Sequence, residues 1–254
     1  MGTSTAKEGG APRGYLEQSR DLWNSFFLVL PLLLVYQAGL FLSGGATGNG
    51  ADLTIYLVQT WGWHALLWFN GVLIAVGVVG VVVARQQRRF EPRIALPVAL
   101  ESTAYAFLIG VVITWVLNRL MPAVFIPPAF IPLAEGGGQL PGGILDRVCL
   151  ALGAGVNEEF VFRLGMFGGL TWALTGPLTK SKAAWTAVAI SSVLFSLAHY
   201  LGPEPFAVYT FLYRFLAGAF FCGLFWFRGF AVAVYTHAIY DVLVMVVFPL
   251  LRGE

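Results

Sequence analysis

Eight ionisable side chains interrupt the long apolar runs of this chain: Glu101, Glu158, Glu159, Arg163, His199, Arg214, His237 and Asp241. Six of them cluster after Gly155 in three short patterns. At a helix centre in lipid each charge would cost ~2.5–3.5 kcal/mol, so such groups must face one another or a wet cavity. A carboxylate with one or two imidazoles can activate a water and supply a donor to a developing oxyanion, which is the equipment of peptide hydrolysis. The set Glu158, His199, His237 and Asp241 could also hold zinc with one position open, although no HExxH pattern is present. Two further readings use the same residues. A proton-coupled transporter or channel would use them as a relay. A non-catalytic membrane scaffold or immunity protein would use them only as packing.

The first pattern is Glu158-Glu159-Phe160-Val161-Phe162-Arg163. Glu159 and Arg163 stand i, i+4 and share a helix face, so they form an expected ion pair. Glu158 points about 100° away and is left for other work. Gly153, Ala154 and Gly155 just before it permit another helix to approach closely. The second pattern is Phe195-Ser196-Leu197-Ala198-His199, where the imidazole is a base, a water orienter or a ligand. The third, His237-Ala238-Ile239-Tyr240-Asp241, puts an imidazole and a carboxylate on one helix face. Arg214 is expected to pair with Glu101 or Glu159, with a substrate carboxylate as the alternative. His64, among Trp61, Trp63 and Trp68, reads as an interfacial anchor without a catalytic role.

Apolar helices must position these groups. The chain has 254 residues, of which 58% are hydrophobic and 11% charged. A soluble chain carries about 25% charged residues. The expected fold is an all-α polytopic membrane bundle of about seven spans, near 22–42, 63–84, 94–117, 144–173, 184–201, 206–227 and 230–250. The fourth is long enough to be tilted, to project from the bilayer or to break. Residues 1–21 read as a flexible cytoplasmic tail, and 22–250 as one transmembrane domain. The Pro- and Gly-rich stretch 118–143 reads as an ordered connector. With the N-terminus in the cytoplasm, ten Lys and Arg fall on inside segments and three outside, which fits the positive-inside rule. Cys149 and Cys222 read as packed free thiols. No basic tract suggests nucleic acid, and no internal repeat suggests an inverted-repeat transporter.

A depth conflict follows from the helix rise. His237 lies about 10 Å from the inner end of its span, whereas His199 lies about 22 Å from the inner end of its own. A shared site requires the fifth span to start beyond the other inner ends, or the Gly202-Pro203-Glu204-Pro205 break to border the cavity. Separation of His199 from Glu158 by more than ~10 Å would rule out a shared water.

EExxxR, FxxxH and HxxxD on successive apolar helices, in this order, resemble the CAAX protease and bacteriocin-processing (CPBP) family of intramembrane endopeptidases. The resemblance covers roughly Leu145 to Leu250. It implies a protein or peptide substrate that is membrane-associated or C-terminally tagged. It also implies Glu158 as catalytic base, His199 as its partner on the attacking water, and Glu159 with Arg163 as a supporting pair. His237 and the residue four later would stabilise the oxyanion. That later residue is commonly Asn in the family and is Asp241 here, a variant of bacterial branches, so the implied location is a bacterial plasma membrane. An ionised Asp cannot donate to an oxyanion. Asp241 would then be protonated, orient His237 or ligate a metal. The expected mechanism needs no cofactor, with zinc as the alternative.

Overall fold

The computed structural model describes residues 14–42, 60–62, 64–65, 67–72, 75, 90–121, 143–201 and 205–253. Every regular element among them is helical. Helices α1 (Tyr15–Arg20) and α2 (Leu22–Leu42) are followed by α3 (Ala95–Leu120). A continuous rod then runs as α4 (Ile144–Glu158), a π-helical segment (Glu159–Gly168) and α5 (Gly169–Leu174). Helix α6 (Lys180–Ala198) ends in a 3₁₀ turn at His199–Leu201. Helices α7 (Val208–Arg228) and α8 (Phe230–Val242) are followed by a second π segment (Leu243–Val247) and α9 (Phe248–Arg252). Five helical stretches among the described residues are long and apolar enough to cross a membrane. The chain is thus an integral membrane helical bundle, as its composition predicts. The span expected at 63–84, the connector 122–142 and Gly202–Glu204 lie largely or wholly outside the described residues. His64, Trp61 and Trp68 are described and exposed.

Helix α8 is the axis of the bundle. Ala231, Val232, Ala233, Val234 and Thr236 are all fully buried, on every side of the helix. A helix apolar all round belongs in a core. It packs on α2, α3, α4 and α7. One core joins Leu28 and Tyr36 of α2, Val98 of α3, Val156 of α4 and Val232 of α8. Small residues set the closest approach. A methyl group added to Gly155 would stand 2.8 Å from the Ala238 backbone nitrogen. Backbone contact of α4 with α8 therefore brings Glu158 to His237. Along α6, Ser191 Oγ donates to the Phe162 carbonyl at 2.7 Å and Ser196 Oγ to the Phe211 carbonyl at 2.8 Å. Small hydroxyl residues serve as such interhelical ties where no water competes. They fix α6, and hence His199, against the π segment and α7.

The depth conflict resolves through unequal helix ends. Phe167 packs edge-on against Phe225 and Trp226, near the close of α7. Helix α5 runs seven residues past Phe167 to Leu174, or ~10 Å further. The α5–α6 hairpin therefore overshoots the α7–α8 turn, and His199 stands level with His237 despite its longer helix.

The stretch read as a flexible tail contains a helix in its last third. Tyr15–Arg20 is a helix docked on the bundle, and residues 1–13 lie outside the described ones. Tyr15 Oη donates to Glu101, whose carboxylate also receives Arg228 Nε at 2.5 Å and Nη2 at 2.7 Å. Burial first, then the adjacent Glu101 carboxylate, push the Tyr15 hydroxyl above its ordinary value, so it remains the donor. Asp21 caps α2, accepting Trp23 N at 2.8 Å and Asn24 N at 3.2 Å. Gly229, at φ +98°, brings the α7–α8 turn against the Ser19 carbonyl, and a side chain there would meet strain as well as contact.

A helix-interior Gly→Ala change ordinarily stabilises by about 0.5–1 kcal/mol. Gly155→Ala is expected to reverse that sign, because the α8 backbone cannot yield. A loss of about 1–3 kcal/mol, as for overpacking, should lower the thermal midpoint in detergent micelles. An unchanged or raised midpoint would contradict the backbone contact.

Candidate active site

The rod leaves regular α geometry at the carboxylate pair. Glu158 is the last α residue and Glu159 opens the π segment. Glu158, Glu159 and Arg163 are essentially inaccessible to solvent. Single-turn π elements often mark functional sites because they re-aim side chains and release carbonyls from the ladder. Here the π-segment carbonyl of Phe162 takes the Ser191 hydroxyl.

Glu159 is shared by two helices. Its Oε1 lies 2.7 Å from His237 Nδ1 on α8, and its Oε2 lies 3.2 Å from Arg163 Nε one helical turn on. The Arg163 guanidinium is set between aromatic faces, 4.2 Å from the Phe195 centroid and 5.0 Å from that of Phe221. Phe221 also stacks on the His237 ring, at 4.6 Å and 18°. A carboxylate at Nδ1 fixes the proton on that nitrogen and turns Nε2 the other way.

Four groups meet on the far side. Glu158 Oε2 is 3.8 Å from His199 Nε2 and 3.8 Å from His237 Nε2. Asp241 Oδ2 is 3.5 Å from His237 Nε2. His199 Nδ1 is 2.9 Å from the Phe195 carbonyl, one turn back on α6. A carbonyl only accepts, so Nδ1 carries the proton and the Nε2 lone pair of neutral His199 faces Glu158. The spacings of 3.5–3.8 Å exceed direct hydrogen bonds, which run ~2.7–3.2 Å, and suit groups that share one small molecule. Donors on a tetrahedral zinc with bonds of ~2.0–2.1 Å would stand ~3.4 Å apart, closer than Glu158 stands to either imidazole. Among the described residues no group of three or more His, Cys, Asp and Glu is arranged to hold a metal ion.

The six clustered residues of the sequence reading therefore come together, with one exchange of neighbours. The ion pair of Glu159 with Arg163 forms as its spacing predicts. Glu159 also orients His237, a contact the spacing did not reveal. The signal lay in the carboxylate's second oxygen, which a single arginine nitrogen leaves available. Asp241 meets His237 at Nε2, on the Glu158 side, instead of holding Nδ1. Phe195, the first residue of the FxxxH pattern, and Phe221 form walls for the guanidinium and the imidazoles. Phe195 was legible as the residue one turn before His199, whereas nothing in the sequence marked Phe221. The expected pairing of Arg214 with Glu101 or Glu159 gives way to other arrangements. Glu101 is held by Arg228 and Tyr15, and Arg214 lies 5.4 Å over the Tyr200 ring.

The family model of type II CAAX prenyl endopeptidases, Rce1-like, matches residues 141–243. All six side chains fall inside that segment, which runs from just before α4 to the end of α8. No curated protein and no solved structure matches the chain.

Glu159→Gln keeps the shape of the side chain and removes its charge, leaving Arg163 buried without a counter-charge. Breaking a buried pair from one side costs about 3–5 kcal/mol, whereas replacing both partners by apolar groups is often neutral. The single variant should unfold at clearly lower temperature in micelles, and Glu159→Gln with Arg163→Met should regain much of the loss. Equal stability of single variant and wild type would show that the pair is not the anchor.

Proposed function

We propose that this chain, whose residues 141–243 carry an Rce1-like domain, is an intramembrane endopeptidase that hydrolyses a peptide bond with a water activated by Glu158. Membership of that segment in a membrane endopeptidase family supports hydrolysis of a protein or peptide. The observation that carries the residue assignment is the convergence of two imidazole Nε2 atoms on one oxygen of a buried carboxylate.

In this reading Glu158 takes a proton from water, and His199 Nε2 accepts the water's other hydrogen and so fixes its lone pair toward the scissile carbonyl. Oxygen attacks carbon as the carbonyl π bond becomes an oxyanion. His237, as an imidazolium whose Nδ1–H is held by Glu159, presents Nε2–H to that oxygen. Asp241 holds the Nε2 side of the ring and is not itself the donor. Collapse of the intermediate breaks the C–N bond, and the proton on Glu158 passes to the departing amine. The products are a carboxylic acid and an amine, and no metal enters any step. A C-terminally tagged or membrane-associated segment is the substrate class, and a bacterial plasma membrane with the Lys180 end of the bundle inside is the setting.

Purified enzyme in liposomes, given prenylated and unprenylated C-terminal tail peptides, provides the test. Product masses should show wild-type cleavage, lost by a factor of ~10²–10⁴ in Glu158→Gln and His199→Ala. Thorough chelation should leave the wild-type rate within about twofold, since the general base is a protein carboxylate. Full cleavage by Glu158→Gln would sink the assignment. Chelator-sensitive cleavage restored by zinc would replace the metal-free step.

A further inference from the structure

Between α6 and α7 lies an apolar cavity of about 540 Å³, lined by Phe167, Val188, Ala219, Gly223 and Trp226, with Lys180 at its rim. That volume is in the ~300–1,000 Å³ range of small-ligand sites. None of the proposed catalytic side chains lines it. It starts at Phe167, nine residues and ~13 Å along the rod from Glu158.

Small side chains at Ala184, Ala219 and Gly223 leave room between the larger residues that line the cavity. Gly223 is the clearest sign. A glycine in a helix interior is destabilising, and close packing normally explains it. Gly218, on the same helix, has that explanation, since a methyl group there would stand 3.0 Å from Ser192 Cα. A methyl group at Gly223 would meet nothing within 4 Å among the described residues. Gly223 is therefore not needed for packing, and its bare side keeps the slot open.

Charge identifies the occupant. Lys180 is exposed at the first turn of α6 and lines the cavity, whereas Lys182, two residues on, does not. The unpaired N–H groups of a helix start add positive potential there. No Asp or Glu occurs from Phe160 to Pro203 to offset it. Lys180 Nζ stands 6.0 Å over the Trp226 ring, which lines the slot. Exposed Trp185 also lines it. Tryptophan rings of this kind sit at the headgroup level of a bilayer. A positive rim over an apolar slot in a membrane-spanning bundle matches one kind of molecule in both parts. We propose that this cavity binds an anionic phospholipid, one acyl chain in the slot and the phosphate at Lys180.

Native mass spectrometry of the full-length protein in micelles, titrated with dioleoyl phosphatidylglycerol or dioleoyl phosphatidylcholine, tests this. With one lysine at the rim, wild type should retain the anionic lipid about 5-fold more strongly. Lys180→Ala should cut that ratio to about twofold or less. Gly223→Leu should fill the slot and abolish retention while leaving Lys180 in place. Ala219→Leu serves as a second slot-filling variant, and circular dichroism confirms the fold of each. Equal retention of the two lipids, or undiminished retention by both slot-filling variants, would overturn the proposal. Displacement of phosphatidylglycerol by an equimolar isoprenylated cysteine ester would also overturn it, since the slot would then belong to an isoprenyl chain.

Discussion

Glu159 is wholly enclosed, and no water can solvate its charge. Taking a carboxylate and a guanidinium out of water costs several kcal/mol each, and their attraction offsets this only when geometry and remaining contacts are good. Arg163 supplies the counter-charge, and Phe195 and Phe221 supply the faces on which its other side rests. Such desolvated cation–π contacts are worth about 2 kcal/mol or more. The second carboxylate oxygen then has one use left, and it takes the His237 Nδ1 proton from another helix. With Nδ1 committed, Nε2 has one direction in which to point, toward Glu158 and Asp241. The site is thus assembled from a charge that could not be buried in any other way.

Helix α8 converts that local pairing into a property of the whole bundle. Its residues 231–234 are buried on every side, so it cannot rotate or slide without disturbing α2, α3 and α4 together. The backbone contact at Gly155 and Ala238 fixes its distance from the rod, one residue along from His237. The docked α1 helix and the Glu101–Arg228 pair hold the start of α8 from the other side. Stability and site geometry therefore rest on the same few small residues and buried charges.

Much of this is legible in the sequence. Apolar run lengths located α2, α3 and the last three long helices, because ~20 residues per span is a constraint the bilayer imposes on every sequence. The i, i+4 rule found the Glu159–Arg163 pair and placed His237 with Asp241, since helix geometry is local. Contacts between helices were harder. The Glu159–His237 bond joins residues 78 apart, and no periodicity encodes it. The π segment follows from tertiary ties such as Ser191 to Phe162, not from the propensity of Glu159–Gly168. Unequal helix ends misled the depth arithmetic, which assumed that every span begins at one plane. The packed α1 escaped because Tyr15 and Arg20 look like ordinary tail residues until Glu101 and the Trp226 carbonyl are set beside them.

Accessibility across the set then gives the site a direction. Side-chain exposure rises from 1% at Glu158 to 7% at His237, 12% at Asp241 and 18% at His199. Glu158 is the most enclosed member of the set, so under the proposed hydrolysis a substrate would approach from the His199 side. That is where α6 gives up regular geometry for a 3₁₀ turn. An extended peptide needs unpaired backbone beside it, and a helix end supplies it where a helix middle would not. His199, held to its own helix through the Phe195 carbonyl, stands between that opening and Glu158. The order of increasing enclosure is therefore His199 and Asp241, then His237, then Glu158, and under the proposed hydrolysis a peptide carbonyl would pass the imidazoles before it meets the carboxylate.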